Sequence, residues 1–259
     1  MSYLYMLFGK VLLFLYNFVG NYGLAIILFA VFAKLILLPI TYKQIKSTQI
    51  MRVINPEVMR VQEKYKNDKA KQGEEMWKIY EKYNYNPMSG CLPLLLQFPI
   101  IIGLFGVLRN PTLYVFQDGM NHVSMSFLGI DNISLSTINI FRTSGASTSF
   151  FVSLGIVAIT VVATYYQQKQ ALAAQADSNM GSSMAMMNNF MILMIGYMSL
   201  TFPGALSIYW AVTTLLGILQ TELMYKFKPI TAEALHVKPV NNYAEVPSGK
   251  KKKKRSRKR

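Results

Sequence analysis

The stretch "GLAIILFAVFAKLILLPIT", Gly23 to Thr41, decides the class of this protein. It is apolar over the length of roughly 20 residues that a helix needs to cross a hydrocarbon core of about 30 Å. One residue stands out: Lys34 lies well inside the run. A charge at the centre of a spanning helix costs roughly 2.5–3.5 kcal/mol on insertion scales. Lys34 precedes Thr41 by seven residues, which is roughly 10 Å of helix at about 1.5 Å per residue. Two readings follow. Either the lysine stem snorkels part of the way to the interface, or the ammonium faces a water-filled cavity open to the cytoplasm, with polar residues of other helices around it.

The rest of the chain agrees with a membrane setting. Of 259 residues, 52% are hydrophobic and 15% charged, where soluble domains carry about 25% charged residues. Mean hydropathy is +0.27. Apolar runs recur at 22–41, 91–109, 150–168, 187–202 and 204–222, giving five expected spans. The last two flank "TFPGA", Thr201 to Ala205, a Pro-Gly turn that makes them antiparallel neighbours. Residues 1–21 carry Lys10 inside an apolar stretch and lack both a basic start and a small-residue cleavage site. They read as an interfacial amphipathic helix on the outer face in preference to a short extra span.

Residues 42–90 hold ten Lys/Arg and six Asp/Glu and read as a charged helical hairpin. Pro56 is expected to start its first helix at an early-turn position, a turn falls near Asn67 to Gly73, and Asn86-Pro87 ends the second helix. Val58, Val61, Gln62 and Tyr65 share one face, as do Met76, Ile79, Tyr80 and Tyr83 on the other helix. This gives one apolar seam. The hairpin nets +4, the 110–149 segment −1 and the C-terminal segment 223–259 +10. The positive-inside rule then puts the hairpin, the 169–186 loop and the tail in the cytoplasm, with the N-terminus and the Ser/Asn/Thr-rich 110–149 loop outside.

The tail ends in Lys250, Lys251, Lys252, Lys253, Lys254, Arg255, Arg257, Lys258 and Arg259, interrupted only by Ser256. So dense a charge run buries no core. It fits contact with RNA or anionic lipid through phosphates, or a topology anchor. The single cysteine, Cys91, excludes an intramolecular disulfide, and the isolated His122 and His236 give metal chemistry no visible seat. No Ser/His pair, aspartate pair or HExxH lies in the spans, so no catalytic or cofactor constellation is present. Glu222 stands alone at the end of the last span and is expected to meet water or the basic hairpin. The spans do carry Lys34, Gln97, Thr164, Gln167, Gln168, Ser207 and Thr213. Any one of them is ordinarily a helix–helix hydrogen bond; Lys34 is the exception.

"NPMSGCLPLLLQFPI", Asn86 to Ile100, resembles the signature of the YidC/Oxa/Alb membrane insertases. "FVGNYGLAII" resembles the start of that family's first core span, "YYQQK" the end of its third, and "FPGALSIYW" its final helical pair. The resemblance covers nearly the whole chain and is strongest to the Gram-positive form, although the lipoprotein-type signal sequence common there is missing. It implies an all-α polytopic protein with five transmembrane helices around a hydrophilic groove open to the cytoplasm. It also implies that Lys34, Gln167, Gln168 and Trp210 contact substrate there, and Gln97, from the polar residues of the spans, is expected to join them. The family usually carries arginine at the groove charge, so Lys34 keeps the charge and loses the bidentate fork.

The implied function is insertion of nascent single- or double-span proteins with acidic N-terminal tails into the bacterial plasma membrane. The implied partners are the ribosome, the Sec translocon, the signal-recognition-particle pathway and membrane lipids. Two other classes stay open on the residues alone. One is a transporter or channel for a small anion using Lys34; the other is a chaperone that packs membrane proteins without inserting them.

Overall fold

A computed structural model describes residues 2–90, 92–117, 123–172 and 179–236. The basic tail with Lys250 to Arg259, Cys91 and His122 lie outside the described residues. Within them the chain is helical: α1 (Ser2–Val19), α2 (Tyr22–Lys64), α3 (Lys69–Lys82), α4 (Leu92–Arg109), α5 (Pro111–Tyr114), α6 (Thr137–Ser144), α7 (Thr148–Leu172), α8 (Asn179–Thr201) and α9 (Gly204–Phe227). Isolated bridges, Phe127 with Ile130 and Ser136 with Pro203, are the only β pairings among the described residues. By length and composition α1, α2, α7 and α9 are able to cross a membrane, and the apolar part of α4, Leu95–Arg109, is shorter.

The main departure from expectation is α2. The helix that carries the expected first span does not stop near Thr41, and Pro56 does not begin a new helix. One 43-residue helix carries both prolines, Pro39 and Pro56, in its interior. A mid-helix proline removes a hydrogen bond and costs about 3 kcal/mol. Packing offsets that cost, because Ile50, Met51, Ile54 and Val58 form one buried stripe across Pro56. The stripe packs against Ile79, Tyr80 and Tyr83 of the hairpin's second arm. Asn21 caps the other end of α2, its side-chain oxygen accepting from the Leu24 amide at 3.1 Å. The turn falls just before Lys69, and Asp68 caps α3 by accepting from the Lys71 amide at 3.0 Å.

A second departure concerns the final pair. α8 and α9 are joined by a turn as short as expected, yet α9 packs chiefly on α7 and α2, while α8 leans on α7. Their close contact includes Ser207 Oγ donating to the Ser199 carbonyl at 3.0 Å.

The main core sits toward the α1–α2 turn. Leu12, Tyr22, Ile26 and Phe29 meet Leu104 and Leu108 of α4 and Leu206 and Tyr209 of α9. The 110–149 segment, expected as a polar loop, adds Phe116, Met125, Ile130, Ile133 and Ile140 to this core. It also caps α9. The first helical amides lack partners within the helix, and here Gly204 N donates to Leu135 O at 2.9 Å and Ala205 N to Ile133 O at 2.8 Å.

Candidate functional site: a polar cavity among α2, α4, α7, α8 and α9

Below the core, a cavity of about 330 Å³ opens between five helices, α8 contributing Met191 and Ile195. Lys34, Gln97, Gln167, Gln168 and Trp210, expected at a groove, all line it. Helical spacing explains how α2 and α9 contribute. Lys34, Thr41, Gln44 and Thr48 stand on one face of α2, and Trp210, Thr213, Gly217 and Thr221 on one face of α9. The adjacent glutamines Gln167 and Gln168 of α7 complete the wall with Thr164.

The polar groups are not equivalent. Thr41 and Thr213 turn their hydroxyls back onto their own helices, to Leu37 O at 3.1 Å and Tyr209 O at 2.9 Å, and so satisfy themselves. Gln97 donates to the Tyr209 hydroxyl at 3.0 Å, tying α4 to α9. In contrast, the Thr164 hydroxyl and the Gln168 and Gln170 side-chain oxygens are buried with no partner among the described residues. Buried polar atoms are normally hydrogen-bonded, so these three offer hydrogen-bonding capacity to water or another polar occupant.

Lys34 is half-buried, with no ion pair or hydrogen bond among the described residues. No acidic side chain lines the cavity. Glu222, expected to meet water or the basic hairpin, is exposed, and its hydrogen bonds are not to the hairpin. It accepts instead from the Tyr166 hydroxyl at 3.1 Å and from the Gln170 amide, both on α7. A carboxylate already engaged leaves Lys34 without a resident counter-ion.

Gly217 is the residue that sequence reasoning missed. A Cβ built there would lie 2.2 Å from Gln167 Nε2 and 3.3 Å from Lys34 Nζ. The ammonium and the amide therefore converge on the α9 backbone at a point where it carries no side chain. Gln44, Gln170 and Thr214 also line the cavity; helical spacing from Lys34 would have pointed to Gln44, whereas a glycine carries no polar signal at all.

The family model of the 60Kd inner membrane protein matches residues 14–231. The chain belongs to that family. It is 36% identical over 203 residues to the membrane protein insertase YidC of Clostridium perfringens, covering 78% of this chain and 77% of the relative. It is 30% identical over 230 residues to YidC of Fusobacterium nucleatum, covering 87% and 98%, and 36% identical over 208 residues to the insertase MisCA of Bacillus subtilis, covering 79% and 70%. An active YidC insertase crystal structure with the first transmembrane domain resolved matches with a TM-score of 0.60 at 28% identity. That match covers 86% of this chain and 46% of the solved one, so this chain spans just under half the length of that protein. This member of the 60Kd inner membrane protein family is thus a multi-pass plasma membrane protein of the membrane insertase class.

Proposed function

We propose that the cavity is the receiving groove of the insertase, and that it lowers the barrier for moving a short hydrophilic segment of a nascent protein across the bilayer. Water and one positive charge brought partway into the hydrocarbon shorten the dry path. An acidic N-terminal tail pairs transiently with Lys34, and its apolar helix then slides into lipid along the exposed faces of the spans. The observation that carries this reading is an unpaired lysine in an acid-free polar cavity. The pairing stays weak because the cavity is open; a fully desolvated pair would hold its substrate too long.

In this reading five helices span, α1 lies in the outer interface, and the hairpin and basic tail face the cytoplasm. There they receive the ribosome or targeting factor of the signal-recognition-particle pathway, and the protein works alone or beside the Sec translocon. α1 is long enough to span, but its contacts favour the interface. Tyr5 packs edge-on to Tyr114 and Tyr16 to Phe116, both in the segment that follows α4.

The test is insertion into liposomes holding the purified protein. Substrates with acidic tails should insert with native protein and with Lys34→Arg, and fail with Lys34→Ala. Lys34→Glu should fail worst, because it repels the same carboxylates. A substrate with its tail acids changed to lysine should do better with Lys34→Glu than with the native protein. Full insertion of acidic-tailed substrates by Lys34→Ala would mean that Lys34 merely snorkels. Anion flux without insertion would instead indicate a transporter.

A further inference from the structure

Lysine is a compact point charge and, unlike arginine, does not present two parallel donors to a carboxylate. An acidic side chain held by Lys34 alone would keep one oxygen with no directed partner. The geometry around Gly217 supplies the missing donor. Lys34 Nζ and the Gln167 amide both approach the point where a Cβ of residue 217 would stand, at 3.3 Å and 2.2 Å. Gly217 is itself buried and lines the same cavity as both side chains. They come from different helices, α2 and α7, and neither has a hydrogen-bond partner among the described residues. They meet only because α9 offers bare backbone between them.

We infer that Lys34 and Gln167 form a composite two-donor clamp for a substrate carboxylate, and that Gly217 is the positioning residue that leaves room for it. This rests on the groove reading above and adds the means by which an acid is gripped. The ammonium supplies the charge and one N–H donor to the first oxygen; the Gln167 amide, its NH₂ turned to the site, donates to the second. Charge-assisted hydrogen bonds of this kind are the stronger ones. The atoms nearest a methyl group at position 217 are the ends of two flexible side chains. Gly217→Ala therefore spoils the clamp by moving the Gln167 amide aside and leaves the helix contacts in place.

The experiment uses the full chain in phosphatidylethanolamine–phosphatidylglycerol liposomes. Two single-span substrates are compared, identical except that one has three tail acids and the other has the matching amides. The readout is the ratio of their protease-protected yields. Gln167→Ala and Gly217→Ala should each lower this acid preference by about tenfold or more, the scale of one hydrogen bond to a charged group. Gly217→Ala combined with Gln167→Ala should be no worse than either alone, since both remove the same donor. In a Lys34→Arg background, where one side chain carries both donors, Gln167→Ala should lower the ratio less than twofold. That rescue is not expected of a merely structural glutamine.

An undiminished ratio in Gln167→Ala, or an equal loss in the Lys34 and Lys34→Arg backgrounds, would overturn the clamp. If Lys34→Ala keeps the native ratio, the groove reading itself fails. If Lys34→Ala abolishes the preference while Gln167→Ala does not, the groove reading stands and Lys34 acts alone.

Discussion

A methyl group has no free space at Gly217 or at Gly9, and the consequences differ because of what it would meet. At Gly9 the obstacle is main chain: a Cβ would lie 2.0 Å from the Tyr114 carbonyl oxygen, a clash relieved only if α1 and α5 move apart. Gly9→Ala should therefore destabilise the protein by about 1–3 kcal/mol, the usual cost of overpacking, read as a lower unfolding temperature in detergent. Gly73 is the opposite case. It lies inside α3 with nothing within 4 Å of its Cβ position, and alanine is the better helix former by about 1 kcal/mol. Gly73→Ala should raise the thermal stability of the hairpin, and a drop would mean that this position has an unseen contact. The same contrast explains what the sequence revealed of the site. Lys34 is conspicuous because a charge inside an apolar run is costly. Gln97, Gln167 and Gln168 are visible as amides in spans. Gly217 is visible only when three helices are placed around it.

Joining the first span to the hairpin in a single helix changes how the two communicate. α2 carries Lys34 near one part of its length and the seam residues Ile50, Ile54 and Val58 further on. The seam itself was legible, since Val58, Ile79, Tyr80 and Tyr83 recur at helical spacing and do pack together. The continuity was not, because a proline within a polar stretch reads as a boundary and only tertiary packing overrides it. The sequence also hid a clasp. After α9 the chain folds back: the Ile230 amide donates to Gln49 Oε1 at 2.8 Å, and Ile230 and Leu235 pack on the seam. Lys228 sits over the Tyr42 ring, its charge 5.3 Å from the centroid. The seam is dry enough that burial pushes the Tyr85 hydroxyl up to about 12. Ile230→Asp with Leu235→Asp should loosen this clasp. Amide exchange should accelerate across residues 50–83 while the Tyr22–Ala30 part of α2 keeps its protection. Unaltered exchange in the hairpin would show that the clasp adds no stability there.

At the scale of the whole molecule the two ends of the helical bundle are built differently. One is closed by Phe116, Met125, Ile130 and Ile133 packed over Tyr22, Ile26 and Leu206. Beyond that core lies the cavity, whose lining runs from Lys34 along α2 to Thr48, toward the hairpin. The closing segment escaped the sequence because its apolar residues are scattered among Ser, Asn and Thr without a period. Each buries singly against helix ends, so no amphipathic pattern announces it. The charge distribution was legible, and it sets the direction of the asymmetry. The hairpin nets +4 and the 110–149 segment −1, and it is this bias that the proposed orientation, hairpin in the cytoplasm, rests on. In that proposed orientation the closed end would face outward, and the cavity would open to the side where nascent chains are made. Thr143 and Lys71 are both exposed, one on the closing segment and the other on the hairpin, and test this directly. With Cys91 replaced by serine, Thr143→Cys should react in intact cells with a membrane-impermeant maleimide, and Lys71→Cys only after the membrane is opened. The reverse pattern would turn the protein over in the bilayer. Acidic tails would then have to reach Lys34 from outside, and a groove that receives newly made segments would have no supply.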